Sequence, residues 1–332
     1  MTPSRTAQII GTGLYAPERV VTNDAFNELY GEDVDRFLRA NRNIVERRYA
    51  AEDQTTSDLA VEAARDALRE ADLALDAIDL LIVSTDTPDF LSPSTAAVVQ
   101  DKLGAANAAT FDLNTACAGF VTALETGKNY IAGNPDYEHV LVISAYLMSR
   151  FIDYDFKNTA TLFADGAGAA VLKATGEGGV LASKLISKGA FHGHMGIYTG
   201  GAARPSTDDH LRAQKLEFRQ KFPDGFNPDH WTDLVHQLAN RIDATPADVD
   251  RYFFTQINVQ SIETTMERLG LPQERAHKVM DRFGYTGNAC VPMALADAAD
   301  EHRLHDGDLV FLIASGGGAA IAGAALRWAY DT

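Results

Sequence analysis

The chain has 332 residues, of which 46% are hydrophobic and 23% charged, so it is neither a disordered chain nor a disulfide-rich secreted module. Its 29 basic and 46 acidic residues give a net charge of −17, which disfavours binding to nucleic acid or to an anionic membrane surface. Two cysteines, Cys117 and Cys290, and an N-terminus without an apolar leader segment predict a cytoplasmic protein.

The predicted elements occur as two similar sets along the chain. Buried strands are predicted at residues 78–84 and 249–255. The helices that follow carry Ala-Leu pairs at 123–124 and 294–295, so the second pair follows the first at the same offset that separates the two strands. Strands that alternate with helices at a constant offset predict a duplicated α/β fold. The predicted halves are residues 1–175, which carry Cys117, and residues 176–332.

Cys117 lies at a predicted turn between a strand and an amphipathic helix. Its neighbours Ala116, Ala118 and Gly119 are small, which lets the backbone turn sharply and lets a substrate approach closely. A thiol at a helix N-terminus faces free N–H groups and the positive end of the helix dipole, so we expect a lowered thiol pKa. The same N–H groups could hold an oxyanion, as covalent acyl transfer requires. The alternative is a small buried cysteine that only fills the junction.

Short motifs spread over nearly the whole chain resemble, in the same order, those of the β-ketoacyl-ACP synthase III family of the thiolase superfamily. They are residues 10–23 (Ile-Gly-Thr-Gly-Leu-Tyr-Ala-Pro-Glu-Arg-Val-Val-Thr-Asn), 46–50 (Glu-Arg-Arg-Tyr-Ala), 87–89 (Thr-Pro-Asp) with 93–95 (Pro-Ser-Thr), 116–120 (Ala-Cys-Ala-Gly-Phe), 163–171 (Phe-Ala-Asp-Gly-Ala-Gly-Ala-Ala-Val) and 316–318 (Gly-Gly-Gly). The resemblance implies a five-layered αβαβα thiolase fold and a homodimer. It also implies that Cys117 takes an acyl group from coenzyme A or an acyl carrier protein, with the N–H groups of Cys117 and Gly318 as oxyanion donors.

Two of the family's catalytic residues are replaced. The family carries a histidine in a His-Gln-Ala-Asn motif and an asparagine in a Gly-Asn-Thr motif, and the matching positions here are Thr255 and Tyr285, while Asn258 keeps its place. Threonine cannot accept a proton near neutral pH, and tyrosine has a reference pKa of about 10. Losing an acid–base group typically costs roughly 10²–10⁴ in rate. We therefore expect acyl loading on Cys117 to persist and malonyl decarboxylation to be impaired.

The resemblance also implies an altered binding site for coenzyme A. Phe37 replaces a tryptophan that stacks on adenine, Arg42 belongs to an altered Arg-Thr pair, and Lys157 replaces an arginine near the phosphates. These changes favour an acyl carrier protein as the donor. If residues 211–221 are helical, basic residues that include Arg212 and Lys215 share one face and form a candidate docking surface for such a carrier.

The sequence therefore predicts an acyltransferase that needs no metal or other cofactor and passes its acyl group to a small-molecule acceptor. Three alternatives stay open. One is ordinary decarboxylative condensation, with Thr255 and Tyr285 binding the carbonyl. The second is a noncatalytic paralogue that binds an acyl carrier, and the third is a thioesterase, in which water attacks the acyl enzyme.

Overall fold

The structure, a computed structural model, describes residues 5–207 and 214–330. The strands are β1 Thr6–Tyr15, β2 Arg19–Thr22, β3 Glu46–Tyr49, β4 Leu80–Ser84, β5 Ala109–Leu113, β6 His139–Leu147, β7 Asp165–Thr175, β8 Val180–Ser187, β9 Met195–Ile197, β10 Leu216–Phe218, β11 Arg251–Phe254, β12 Leu309–Gly316 and β13 Ala320–Arg327. The helices are α1 Asn23–Tyr30, α2 Asp35–Arg42, α3 Thr56–Glu70, α4 Thr95–Leu103, α5 Gly119–Gly133, α6 Lys157–Ala160, α7 Phe226–Arg241, α8 Val259–Leu269, α9 Met280–Phe283 and α10 Cys290–Asp300.

Two sheets with the same plan form the body of the molecule. The first has the order β1-β7-β6-β4-β5 and the second the order β8-β13-β12-β11. In each sheet the first three strands are antiparallel and the next pair, β6 with β4 or β12 with β11, is parallel. The last strand of the first sheet along the chain ends at Thr175, and the first strand of the second sheet begins at Val180. We propose that the two halves divide between these residues, next to the boundary predicted at residue 175.

The helices complete five layers. Helices α3 and α4 pack on the outer face of the first sheet, and α7 and α8 on the outer face of the second. Helices α5 and α10 lie between the sheets. Helix α10 is buried from Cys290 to Ala299, as expected of a helix that is apolar on all sides. The predicted αβαβα fold is confirmed.

The central layer places the candidate site. The two Ala-Leu pairs lie on α5 and α10, and each of these helices is preceded by a small-residue turn, with Cys117 before α5 and Tyr285 before α10. Because both turns belong to the central layer, residues from the two halves can meet there.

The helix predicted at residues 211–221 is wrong in the part that the structure describes. Leu216–Phe218 is a strand, β10, which pairs with β9, and Arg219 pairs with Glu217. Arg212 lies outside the described residues. Within the described ranges, every helix is too short or too polar to cross a bilayer.

Candidate active site

The turn that carries Cys117 is held between the ends of two strands. Ala116 has a φ of 47°, and the Gly119 N–H donates to the Ala116 carbonyl at 2.8 Å, which closes the turn before α5. A Cβ at Gly119 would lie 1.9 Å from Ser84 Oγ, and one at Gly316 would lie 2.5 Å from the Cys117 backbone nitrogen. Both glycines are therefore needed for the strand ends to approach the cysteine.

A cavity of about 260 Å³ leads to the thiol. It extends from exposed residues, including Phe218 and Lys221, to Cys117, which is only 3% exposed. Apart from Cys117, its walls come from the second half of the chain: Met195, Phe218, 221–228, Ile257, Asn258, Ser261, Tyr285, Ser315 and Gly316. The predicted residues Cys117, Tyr285 and Asn258 thus share one cavity, whereas Thr255 and Gly318 are not among its lining residues.

Tyr285 is a buried residue beside the Cys117 thiol. It is 1% exposed, its ring centroid lies 5.2 Å from that of Phe163, and its backbone N–H donates to the Leu162 carbonyl at 2.9 Å. The hydroxyl acts on the Cys117 thiol as a hydrogen-bond donor and lowers the thiol pKa. Burial raises the pKa of Tyr285 well above its ordinary value, so this hydroxyl stays protonated and acts as a donor.

The prediction of a lowered thiol pKa is wrong. Burial raises the pKa of Cys117 well above its ordinary value, and the nearby Asp86 carboxyl raises it further. The Tyr285 hydroxyl and the Gly317 backbone N–H act to lower the thiol pKa, but they do not overcome these two effects. The cysteine therefore rests as a thiol, because the cost of burying a charge exceeds what these donors and the helix terminus return.

Thr255 is buried, and its hydroxyl is engaged with the backbone of Ser315. It accepts from the Ser315 N–H at 3.0 Å and lies 3.4 Å from the Ser315 carbonyl. Thr255 therefore positions the glycine turn of residues 316–318, and the expected hydrogen bond from its hydroxyl to a substrate carbonyl would replace the contact with the Ser315 carbonyl. Gly318 has a φ of 72° in this turn, and the Gly317 backbone N–H acts to lower the thiol pKa.

Asn258 lines the cavity that leads to Cys117, and its side chain also caps a helix. Its side-chain oxygen accepts from the Gln260 N–H at 3.2 Å and caps α8. The neighbouring Gln256 accepts from the Val279 N–H at 2.8 Å and so ties this loop to the segment before α9.

The three residues expected to bind coenzyme A come together elsewhere. Phe37, Arg42 and Lys157 line a second cavity of about 380 Å³. Arg42 lies 5.5 Å from the Phe37 ring centroid, but Lys157 forms an ion pair with Glu32, which lines the same cavity with Asp33. Two carboxylates offset the two cations, so the cavity has little net positive charge for phosphates.

Sequence reasoning missed a polar group beside Cys117. Asp86 follows β4, and its Oδ1 is shielded from solvent without a hydrogen-bond partner, although the residue as a whole is partly exposed. Burial raises the pKa of Asp86 to about 6. The available signal was an acidic residue just past the carboxyl end of a buried parallel strand, where sites commonly form in α/β proteins.

Among the described residues, one group of three side chains has ligand atoms close enough to hold a metal ion: His277, Asp297 and Glu301. Arg282 donates to Asp297 Oδ2 at 2.7 Å, the same oxygen that His277 contacts at 2.8 Å. The guanidinium already neutralises this carboxylate, and we propose no metal centre there.

Comparisons with known proteins give one consistent family. The profile described as 3-oxoacyl-[acyl-carrier-protein (ACP)] synthase III matches residues 111–189, and the profile of its C-terminal part matches residues 239–328. The β-ketoacyl-[acyl-carrier-protein] synthase III of Oceanobacillus iheyensis is 40% identical over 321 residues, which cover 96% of this chain and 98% of that protein. The protein of the same name from Paracoccus denitrificans is 40% identical, with 98% of this chain and all of that protein covered.

Solved structures agree with these relatives. The 3-oxoacyl-[acyl-carrier-protein] synthase III of Aquifex aeolicus VF5 superimposes with a TM-score of 0.88 at 30% identity, covering 97% of this chain and 100% of that one. The priming β-ketosynthase of the R1128 polyketide pathway gives a TM-score of 0.88 at 27% identity, covering 100% of this chain and 99% of that one.

Replacing Tyr285 by phenylalanine is expected to slow alkylation of Cys117 by iodoacetamide roughly three- to tenfold, because one hydrogen bond to the forming thiolate is lost. In the wild type the rate should still be rising at about pH 9, since burial holds the thiol pKa above its usual value. Peptide mass spectrometry at Cys117 gives the rate, with Tyr130→Phe as the control. An unchanged rate in Tyr285→Phe would contradict the contact.

The free energy of unfolding of Asp86→Asn is expected to depend on pH differently from that of the wild type. The native pKa of about 6 lies above the reference value of 3.8, so the ionised carboxylate destabilises the native state. The wild type should therefore lose up to about 3 kcal/mol of unfolding free energy relative to Asp86→Asn between about pH 4 and pH 6, with no further change above. Urea unfolding at several pH values measures this, and parallel curves would show that Asp86 is solvated.

Proposed function

Because the chain belongs to the 3-oxoacyl-[acyl-carrier-protein] synthase III family, we propose that it is an acyltransferase in which Cys117 accepts an acyl group from a thioester and passes it to a second substrate. The observation that carries the proposal is that the cavity ends at the Cys117 thiol and the buried Tyr285, whose hydroxyl acts to lower the thiol pKa. A nucleophile and a neutral donor at one cavity end are the minimum that thioester exchange needs.

Loading proceeds by exchange of one thioester for another. The Cys117 sulfur attacks the acyl carbonyl carbon, the carbon–sulfur bond to the donor breaks, and the donor thiol leaves with the proton that Cys117 gives up. Negative charge develops on the carbonyl oxygen during the attack, where backbone N–H groups of the turn can stabilise it. The candidate donors are the N–H groups of Gly317 and Gly318 from the second half of the chain and of Cys117 from the first.

Transfer reverses this chemistry with a new nucleophile. An amine, hydroxyl or thiol attacks the carbonyl carbon, the bond to Cys117 breaks, and the acceptor's proton returns to the sulfur. An amine that is neutral at the working pH needs the least help from a base. This matters because Thr255 is committed to Ser315 and the Tyr285 pKa is far above neutral, so neither provides the base that decarboxylative condensation in this family draws on.

Decarboxylative condensation is the second candidate function. The names of the relatives from Oceanobacillus iheyensis and Paracoccus denitrificans favour it. In that reaction Tyr285 would hydrogen-bond the malonyl carbonyl in place of an asparagine. The two functions differ in one product, carbon dioxide.

We expect incubation with acyl-carrier-protein thioesters to add the acyl mass to the wild type and not to Cys117→Ala, as seen in intact mass spectra. Release of carbon dioxide from labelled malonyl carrier protein should be roughly 10²–10⁴ slower than in a family member that keeps histidine and asparagine. Fast release that depends on Cys117 would establish condensation instead. Absence of any acyl adduct would favour a noncatalytic carrier-binding protein.

We propose an acyl carrier protein rather than coenzyme A as the preferred donor. The support is the ion pair between Lys157 and Glu32. It neutralises one of the two cations that line the cavity where phosphates would bind. A carrier protein brings the same pantetheine arm without the nucleotide, so it does not depend on this cavity.

Glu32→Gln is expected to raise kcat/KM for acyl-coenzyme A about two- to fivefold, since a freed Lys157 is worth at most about 1 kcal/mol at this exposed position. The rate with an acyl-pantetheine, which lacks the nucleotide phosphates, should not change. Glu28→Gln on exposed α1 is the charge-matched control. Equal gains in the control, or with the pantetheine thioester, would contradict the assignment.

A further inference from the structure

Four buried polar atoms near Cys117 have no hydrogen-bond partner among the described residues. They are Ser84 Oγ, Asp86 Oδ1, Ser144 Oγ and Asn288 Oδ1, and we call them the acceptor cluster. Ser84, Ser144 and Asn288 are each at most 1% exposed. Buried polar groups in proteins are nearly always paired, so an unpaired set in one place indicates a bound species that supplies the missing partners.

The strand register places the cluster on one face of the first sheet. Ser84 and Ser144 are partners in the parallel β4–β6 pair, so their side chains point to the same face. Gly119 on α5 meets Ser84 Oγ on that face, and Asn288 Nδ2 donates to the Ser84 carbonyl at 2.6 Å. The cluster therefore lies between the first sheet and the start of α5, close to Cys117.

Asp86 lies two residues past the end of β4, and its charge acts on both the Cys117 thiol and the Tyr146 hydroxyl. The internal repeat, at the offset that relates the two Ala-Leu pairs, matches Asp86 with Ile257, which lines the cavity from the second half. Asp86 thus takes the position in the first half that a cavity-wall residue takes in the second.

The charge around Asp86 has one sign. No cationic side chain in the described part of the chain is among the groups that act on it, and burial raises its pKa to about 6, opposed only by its own backbone N–H. The titratable groups that face this region are the thiols of Cys117 and Cys290, the hydroxyls of Tyr146 and Tyr285, and the Asp165 carboxyl, all neutral or negative. At neutral pH the cluster therefore contains a carboxylate without a counter-charge.

We propose that the acceptor cluster binds a hydrogen-bond-donating substituent of the acyl group held on Cys117, and that a protonated primary amine fits it best. A protonated amine offers three N–H donors and a positive charge to pair with the Asp86 carboxylate, whereas a hydroxyl offers one donor and no charge. The amide oxygen of Asn288 and the carboxylate oxygen of Asp86 can only accept. This inference rests on the proposed function, because it requires Cys117 to carry an acyl group.

Three isosteric pantetheine thioesters test the inference: β-alanyl, 3-hydroxypropionyl and butyryl, which differ only in a terminal amine, hydroxyl or methyl group. The measurement is the initial rate of Cys117 acylation by mass spectrometry. In the wild type at pH 7.5 we expect β-alanyl to load at least tenfold faster than butyryl, with 3-hydroxypropionyl between them. The preference should decrease as the pH falls through about 6, where Asp86 is protonated.

Asp86→Asn should lower the ratio of the β-alanyl rate to the butyryl rate about tenfold, because any change in the Cys117 thiol pKa affects both thioesters alike. Exposed Asp53→Asn is the charge-matched control. Equal rates for the three thioesters in the wild type, or faster butyryl loading, overturn the inference even if the variant fails to fold, and the cluster then holds only water. If 3-hydroxypropionyl loads fastest, the assignment of a protonated amine is overturned, while binding of a hydrogen-bond-donating substituent is retained. If acyl carrier proteins load Cys117 normally while the preference is absent, this inference alone fails; if no thioester loads Cys117, the proposed function fails with it.

Discussion

The burial of the Cys117 thiol is the constraint on which the rest of the site depends. Because desolvation holds its pKa high, the sulfur rests as a thiol, and in the proposed reaction charge forms on it only while an acyl carbonyl is being attacked. The groups that meet it are suited to that brief charge: a tyrosine hydroxyl and a backbone N–H, both neutral donors. Neutral donors stabilise a developing charge without the cost of burying a permanent cation beside it.

The duplicated fold explains how this arrangement is assembled. At the constant offset between the two halves, Cys117 corresponds to Asn288 and Ser84 corresponds to Thr255. Each half thus contributes a turn before a central helix and a hydroxyl at the end of a parallel strand. In the second half the hydroxyl of Thr255 fixes Ser315, whereas in the first half Ser84 Oγ has no partner among the described residues. The matching positions therefore differ in role: the hydroxyl of the second half holds the backbone in place, and the hydroxyl of the first half is left without a hydrogen-bond partner in the part of the chain that the structure describes.

The sequence was sufficient for the architecture and for the position of Cys117 just before a central helix. Strand patterns, the repeat and the motifs predicted the layered fold and placed Cys117 at a turn before a helix, because these features depend on local small residues and periodicity. Side-chain partners could not be predicted in the same way. That Thr255 bonds Ser315, that Lys157 pairs with Glu32 and that burial outweighs the helix terminus at Cys117 all depend on contacts between distant segments. The segment near Lys215 does not form the helix that the docking surface required, because residues 216–218 pair with β9 as a strand.

The most direct test of the account is a crystal structure of the wild type after reaction with an acyl-carrier-protein thioester. We predict electron density for the acyl group on Cys117 Sγ, with the Tyr285 hydroxyl within hydrogen-bond distance of the thioester and Thr255 still bonded to Ser315. Acyl density on Cys290, or an acylated Cys117 from which Tyr285 has turned away, would contradict the central role of this pair.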